Sequence, residues 1–147
     1  MAFISTGRRW LRFVPMVLVM GTIFFLSAQP GDSLSLPDIP NLDKLLHAGI
    51  YGLLAAATLF GVGTESWLGR RQSLGIFVVL FCLLYGISDE WHQAFVPGRT
   101  PSIWDLAADT IGATAMVMCW SRCFPFRPNR KEAGVRGNDK DSVTRPH

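Results

Sequence analysis

Three short stretches of the chain hold the side chains that can do chemistry. DKLLHAGIY supplies Asp43, Lys44, His47 and Tyr51; SDEWHQ supplies Asp89, Glu90 and Gln93; WDLAAD supplies Asp105 and Asp109, with Arg99 shortly before it. Carboxylates beside a histidine can move protons. Glu90 or Asp109 as general base, with His47 as acid, would suit a hydrolase or transferase. The planar fork of Arg99 suits a phosphate or carboxylate. Five acids (Asp43, Asp89, Glu90, Asp105 and Asp109) are answered at most by Lys44, Arg99, His47 and His92, so the group also has the composition of a site awaiting a cation or cationic ligand. On a helix, Asp43, His47 and Tyr51 step by four and drift only about 40° each time, forming one stripe. Gly86, Asp89, Glu90 and Gln93 fall within an arc of about 100° by the same geometry, and Trp91 points away from it. Asp105, Asp109 and Gly112 likewise share a face.

These stripes need helices to carry them, and four apolar segments are available. They run from about Trp10 to Ala28, Leu45 to Val62, Leu74 to Val96 and Pro101 to Trp120. A hydrocarbon layer of about 30 Å takes roughly 20 helical residues, and each segment fits that length. No alternating strands of barrel type occur. The predicted fold is all-α: a polytopic membrane protein with four transmembrane helices in a bundle. Residues 1–121 form that domain, and 122–147 read as a basic, disordered cytoplasmic tail. The stretch QPGDSLSLPDIPN predicts a loop, Pro97-Gly98 a stop to the third helix, and Thr100 with Pro101 the start of the fourth. The first segment follows Arg8, Arg9 and Arg12 as a signal peptide would. Leu26 stands where cleavage favours a small residue, so a retained span is expected.

Composition agrees. The 147 residues allow one compact domain, and 17% charged residues fall well below the roughly 25% usual for soluble domains. Mean hydropathy is +0.26 and the pI about 9.0. Cys82, Cys119 and Cys123 form no ligand motif, and Cys82 inside an apolar run reads as a small buried hydrophobe. No metal-ligand spacing, nucleophile elbow or cofactor motif is present, so no metal and no cofactor are expected.

Charge placement gives an orientation. Of the 14 Lys and Arg, 12 fall on the side of the two termini and the Arg70–Arg71 turn, leaving Lys44 and Arg99 opposite. The positive-inside rule then places both termini in the cytoplasm. Trp10, Trp67 and Trp120 are expected at the inner interface and Trp91 and Trp104 at the outer one. All three chemical stretches meet at the exterior leaflet. Asp109, roughly 12 Å into its helix at about 1.5 Å per residue, must face the bundle interior or a wet cleft. Gly112 and nearby alanines would let helices approach closely there.

The strings FFLSAQPG, DKLLHAGIYGLL and YGISDEWHQAFVPGRTPSIWDLAADTIGA, in order from Phe24 to Ala113, resemble the VanZ-like family of small membrane proteins. The resemblance implies a bacterial cell-envelope protein, multi-pass in the inner (plasma) membrane, and its namesake is associated with low-level resistance to the glycopeptide teicoplanin. Many members carry Asn where this chain has Asp109, so this chain adds an ionisable group. The tail lies outside the resemblance.

Several functions compete. The leading one is an exterior cleft that binds a lipid-linked or amphiphilic envelope ligand, or a glycopeptide, through Asp43, His47, Tyr51, Asp89, Glu90, Gln93, Arg99, Asp105 and Asp109, with Tyr51 and Trp104 on its apolar part. A membrane-embedded hydrolase or transferase using Glu90, Asp109 and His47 is the alternative. A transporter or proton relay ranks third, because the inner halves of the helices are almost purely apolar and offer no polar path across. A structural reading stands beside all of these: Arg99 paired with Glu90 or Asp105, Lys44 with Asp43, and His47 bonded to a carboxylate. Nucleic acid is not an expected partner; membrane lipid is, since attraction to anionic lipid accounts for the basic tail.

Overall fold

The computed structural model describes residues 6–31 and 40–124. The central part of the predicted loop and all of the tail beyond Phe124 lie outside the described residues. The described residues are all-α: a 3₁₀ segment Thr6–Phe13, then α1 (Val14–Ser27), α2 (Leu42–Val62), α3 (Thr64–Gln93) and α4 (Ile103–Cys123). Three stretches are long and apolar enough to cross a membrane: Trp10–Ser27, Leu42–Val62 and Arg70–Gln93. Helix α4 has 21 residues but carries Asp105, Asp109 and Arg122 among them. Large apolar side chains stand exposed on all four helices, including Leu18, Phe25, Leu53, Phe77, Leu84 and Ile111. A water-soluble monomer rarely exposes apolar surface on this scale.

Helix α2 lies at the centre and touches every other element. Its buried face, Tyr51, Leu54, Ala55 and Leu59, packs with Ile23 of α1, Val78 and Cys82 of α3 and Ala113 of α4. Cys82 is fully buried, as expected of a small hydrophobe in this core. A Cβ on Gly112 would overlap the Ala48 carbonyl, and one on Gly52 would lie 3.4 Å from the Gly112 carbonyl oxygen. The α2–α4 seam is therefore close enough that backbone meets backbone, as the small residues of helix four imply.

Several local expectations are corrected. Helices α2 and α3 are joined by Gly63 alone, whose φ of 82° suits glycine. Arg70, expected in a loop, is instead a break inside α3, with φ −140° and ψ 35°. The helical turns before that break tuck Trp67 inward: it is 1% exposed, its ring lies against Gly75, and it belongs to the core rather than to an interfacial belt. Trp10, Trp91 and Trp104 are exposed. The fourth helix is capped by Ser102 rather than Thr100; the Ser102 hydroxyl accepts from the Trp104 N–H at 3.2 Å. The helix continues through Cys123, two residues into the segment assigned to the tail.

Candidate functional site

The polar stripes converge at one end of the bundle. Helix α2 enters from Asn41 and places Asp43, Lys44 and His47 within its first two turns, with Lys44 and His47 reaching α4. Because the small residues of the seam bring α4 close, short side chains can meet across it. The Lys44 Nζ lies 2.9 Å from Asp105 Oδ1 and 2.9 Å from Asp43 Oδ2. One turn deeper, His47 Nδ1 lies 3.0 Å from Asp109 Oδ1, and Asp109 is fully buried. A carboxylate accepts, so Nδ1 carries the proton of this bond, and in the neutral imidazole Nε2 then keeps its lone pair. The other Asp109 oxygen sits against Gly86, where an added Cβ would come within 3.1 Å of it.

Helix α3 brings its acids to the same end from the other side. The Gln93 amide donates to Asp89 Oδ2 at 3.1 Å and to the Ser27 hydroxyl of α1 at 3.3 Å. Glu90 points instead toward the start of α4, where its Oε2 accepts the Ser102 N–H at 2.7 Å. Among the described residues, Glu90 Oε1, Asp109 Oδ2 and the Tyr51 hydroxyl are buried with no hydrogen-bond partner. An isolated buried polar atom is costly, and three of them lie at this end of the bundle.

Arg99 is tied to the end of α1. Its Nε donates to the Gln29 carbonyl at 3.2 Å and its Nη2 to the Leu26 carbonyl at 3.1 Å. The Gly31 N–H adds a bond to the Pro97 carbonyl at 3.1 Å, and the Gly31 backbone touches Gly98. The pairing of Arg99 with Glu90 or Asp105 expected under the structural reading is not formed, whereas the Lys44–Asp43 pair is. His92 stacks on Phe24, with ring centroids 4.7 Å apart.

Between α1, α2 and α3 lies a cavity of about 470 Å³. Its polar end is formed by Ser27, Asp43, His47, Tyr51, Asp89, Gln93 and Arg99, and its walls by Ile23, Leu26, Leu46, Ile50 and Leu53. Six of the nine residues singled out in the sequence line this cavity. The other three, Glu90, Asp105 and Asp109, lie in the seam behind His47, and Trp104 lines no part of it. His47, Glu90 and Asp105 offer one ligand atom each within 4.8 Å of one another, a grouping that could hold a metal ion. It draws on three helices, so no spacing within a single segment announces it. Sequence reasoning also left out Ser27 and Ser102, whose serines at helix ends in FFLSAQPG and TPSIW are the available signal.

Residues 12–124 match the family model described as VanZ/LLP1. No curated protein and no solved structure matches the chain.

Proposed function

The chain belongs to the VanZ/LLP1 family, and from that premise we propose that this VanZ-like membrane protein binds a lipid-linked or amphiphilic ligand of the bacterial cell envelope. The observation that carries the reading is the cavity. One end is polar and charged, and the rest is walled by aliphatic side chains of α1 and α2. That division matches a molecule with an anionic head and a hydrocarbon chain. Arg99, anchored through two of its nitrogens on the α1 carbonyls, presents a fixed positive charge at the rim. Fixing it beforehand lowers the ordering cost of gripping a phosphate or carboxylate.

In this reading all four helices span the inner membrane, both termini are cytoplasmic and the cavity opens toward the exterior leaflet. The lopsided distribution of Lys and Arg supports it, as do Ile103, Ile111 and Met118, which give α4 an exposed apolar face like those of the other helices. Membrane lipid surrounds the bundle, and a teicoplanin-type glycopeptide is a further candidate for the cleft. A change in teicoplanin susceptibility on expression would test that candidate.

Gly49 provides the direct experiment. It lines the cavity, and a Cβ built on it meets nothing within 4 Å. Gly49→Leu should fill the cavity while leaving the fold intact. Purified full-length protein in detergent is expected to gain thermal stability with a short polyprenyl phosphate, and Gly49→Leu to lose that gain. An equal gain in the variant removes the cavity from ligand binding.

A hydrolase or transferase acting on a lipid-linked substrate is the second reading, favoured by the bonded His47–Asp109 pair beside the free Glu90 oxygen. Turnover of a polyprenyl-linked phosphoester that Glu90→Gln abolishes would support it. Its absence under all conditions would leave the binding reading alone.

A further inference from the structure

Behind the cavity, where α2, α3 and α4 meet, three side chains come together, of which His47 alone also lines the cavity. We infer that His47, Glu90 and Asp105 hold a divalent transition-metal cation. Their ligand atoms lie within 4.8 Å of one another. Tetrahedral bonds of about 2.0–2.2 Å around one ion place ligand atoms about 3.3–3.6 Å apart, so the set closes with side-chain shifts of about an ångström.

Each of the three is held by one atom and free at another. His47 is held through Nδ1 against Asp109 at 3.0 Å, which in the neutral imidazole turns the Nε2 lone pair toward a metal. Glu90 is fixed through Oε2 by the Ser102 N–H at 2.7 Å, and its Oε1 is buried without a partner. Asp105 is fixed through Oδ1 by Lys44 at 2.9 Å, and its Oδ2 remains. Groups that ligate metals are oriented in this way by outer partners, above all a histidine by a carboxylate on its other nitrogen. Glu90 is only 9% exposed, so its free oxygen lacks water as a ready substitute partner.

Charge and ligand type agree with this. Glu90, Asp105 and Asp109 gather at the seam with Lys44 as their basic neighbour, while Arg99 is tied to the α1 carbonyls. One imidazole nitrogen with two carboxylate oxygens suits Mn²⁺, Fe²⁺, Co²⁺ or Zn²⁺ better than Ca²⁺ or Mg²⁺. The site stands on its own geometry, whether or not the cavity takes an amphiphile.

The experiment titrates full-length protein in detergent, freed of metal by chelator and without added lipid, with Mn²⁺. Free Mn²⁺ is followed by electron paramagnetic resonance. Manganese is chosen because it disfavours thiols, and Cys119 and Cys123 are exposed. One saturable Mn²⁺ per chain is expected, lost in Glu90→Gln. If that variant fails to fold, Asp105→Asn at the less buried ligand supplies the same reading. Asp109→Asn should weaken binding about 10–100-fold, because it disturbs the orientation of His47 without removing a ligand. A Co²⁺ absorption spectrum that changes in His47→Gln would confirm nitrogen ligation. Absence of saturable Mn²⁺ binding, or equal binding in folded Glu90→Gln or Asp105→Asn, overturns the site while leaving the Gly49→Leu test of the cavity untouched.

Discussion

Toward α4, helix α2 presents Ala48 and Gly52; toward α1 it presents Leu46, Ile50 and Leu53, and the two faces build different interfaces. With no side chain at Gly112, the α4 backbone rests on the Ala48 carbonyl, and charged groups of ordinary length meet across the seam at 2.9 and 3.0 Å. On the α1 side the aliphatic chains hold the helices apart and leave a cavity of about 470 Å³. His47 belongs to both sides, bonded into the seam and lining the cavity. The difference shows how one helix can separate a preformed ionic cluster from a space for a guest. Residue size sets the spacing, and spacing decides whether polar groups find each other or something else.

The contrast breaks most severely at Gly112. Even Gly112→Ala drives a Cβ into a backbone carbonyl that no rotamer change can move. Overpacking costs about 1–3 kcal/mol, and this case belongs at the upper end because backbone must shift. A sharp loss of monodisperse protein in size-exclusion chromatography is expected, and a variant of normal stability would show that the seam is looser than the structure describes. Next comes His47→Ala, which leaves the buried Asp109 with neither oxygen bonded. Stranding a buried partner costs on the order of 2 kcal/mol. Adding Asp109→Ala should recover part of that loss, since the stranded group is then gone. Purely additive thermal losses for the two changes would mean that the pair is not coupled.

Much of this was legible in the residues. The helical stripes on α2, α3 and α4 follow from spacing, and their convergence at one end of the bundle from the up-and-down order of the spans. Small residues near Asp109 signalled close approach, and Gly112 provides it. What spacing could not decide was which stripe residue faces which neighbour. Rotation about each helix axis divides Asp89 and Gln93, on the cavity, from Glu90, in the seam, although all three share one arc. Arg99 was misleading for a related reason: a flexible side chain in a turn reaches whichever carbonyls the neighbouring helix end leaves open, and those belong to α1. Trp67 was assigned to an interface by its position in the chain, but the break at Arg70 turns the preceding helical segment inward. A backbone break of that kind has no side-chain pattern to announce it.

On the cavity side the expected effects are smaller and can be favourable. Gly49→Leu replaces a mid-helix glycine at an open position, and the gain in helix propensity is worth up to about 1 kcal/mol. The variant should melt at or above the temperature of the parent, opposite in sign to Gly112→Ala, although both changes enlarge a glycine on an α2 interface. A fall in melting temperature would mean that the cavity closes in solution and that the two faces of α2 are more alike than the structure describes.

The smallest stability change belongs to Lys44, and its sign on ion binding makes it informative. Its side chain is 34% exposed and shares its ammonium between Asp43 and Asp105. Such a pair is screened by water and salt. Lys44→Gln should therefore shift the melting temperature little, and less still at high ionic strength. The same change frees Asp105 Oδ1 and removes a positive charge beside the ligands proposed for the cation. Mn²⁺ affinity should rise, whereas Asp109→Asn lowers it. The two residues occupy the same seam and each bonds one member of the ligand set, so opposite shifts would separate a competitor for the cation from a group that aims its ligand. Equal losses of Mn²⁺ binding in both variants would mean that Lys44 shapes the seam, with Asp105 reaching the ion only while that ammonium holds it.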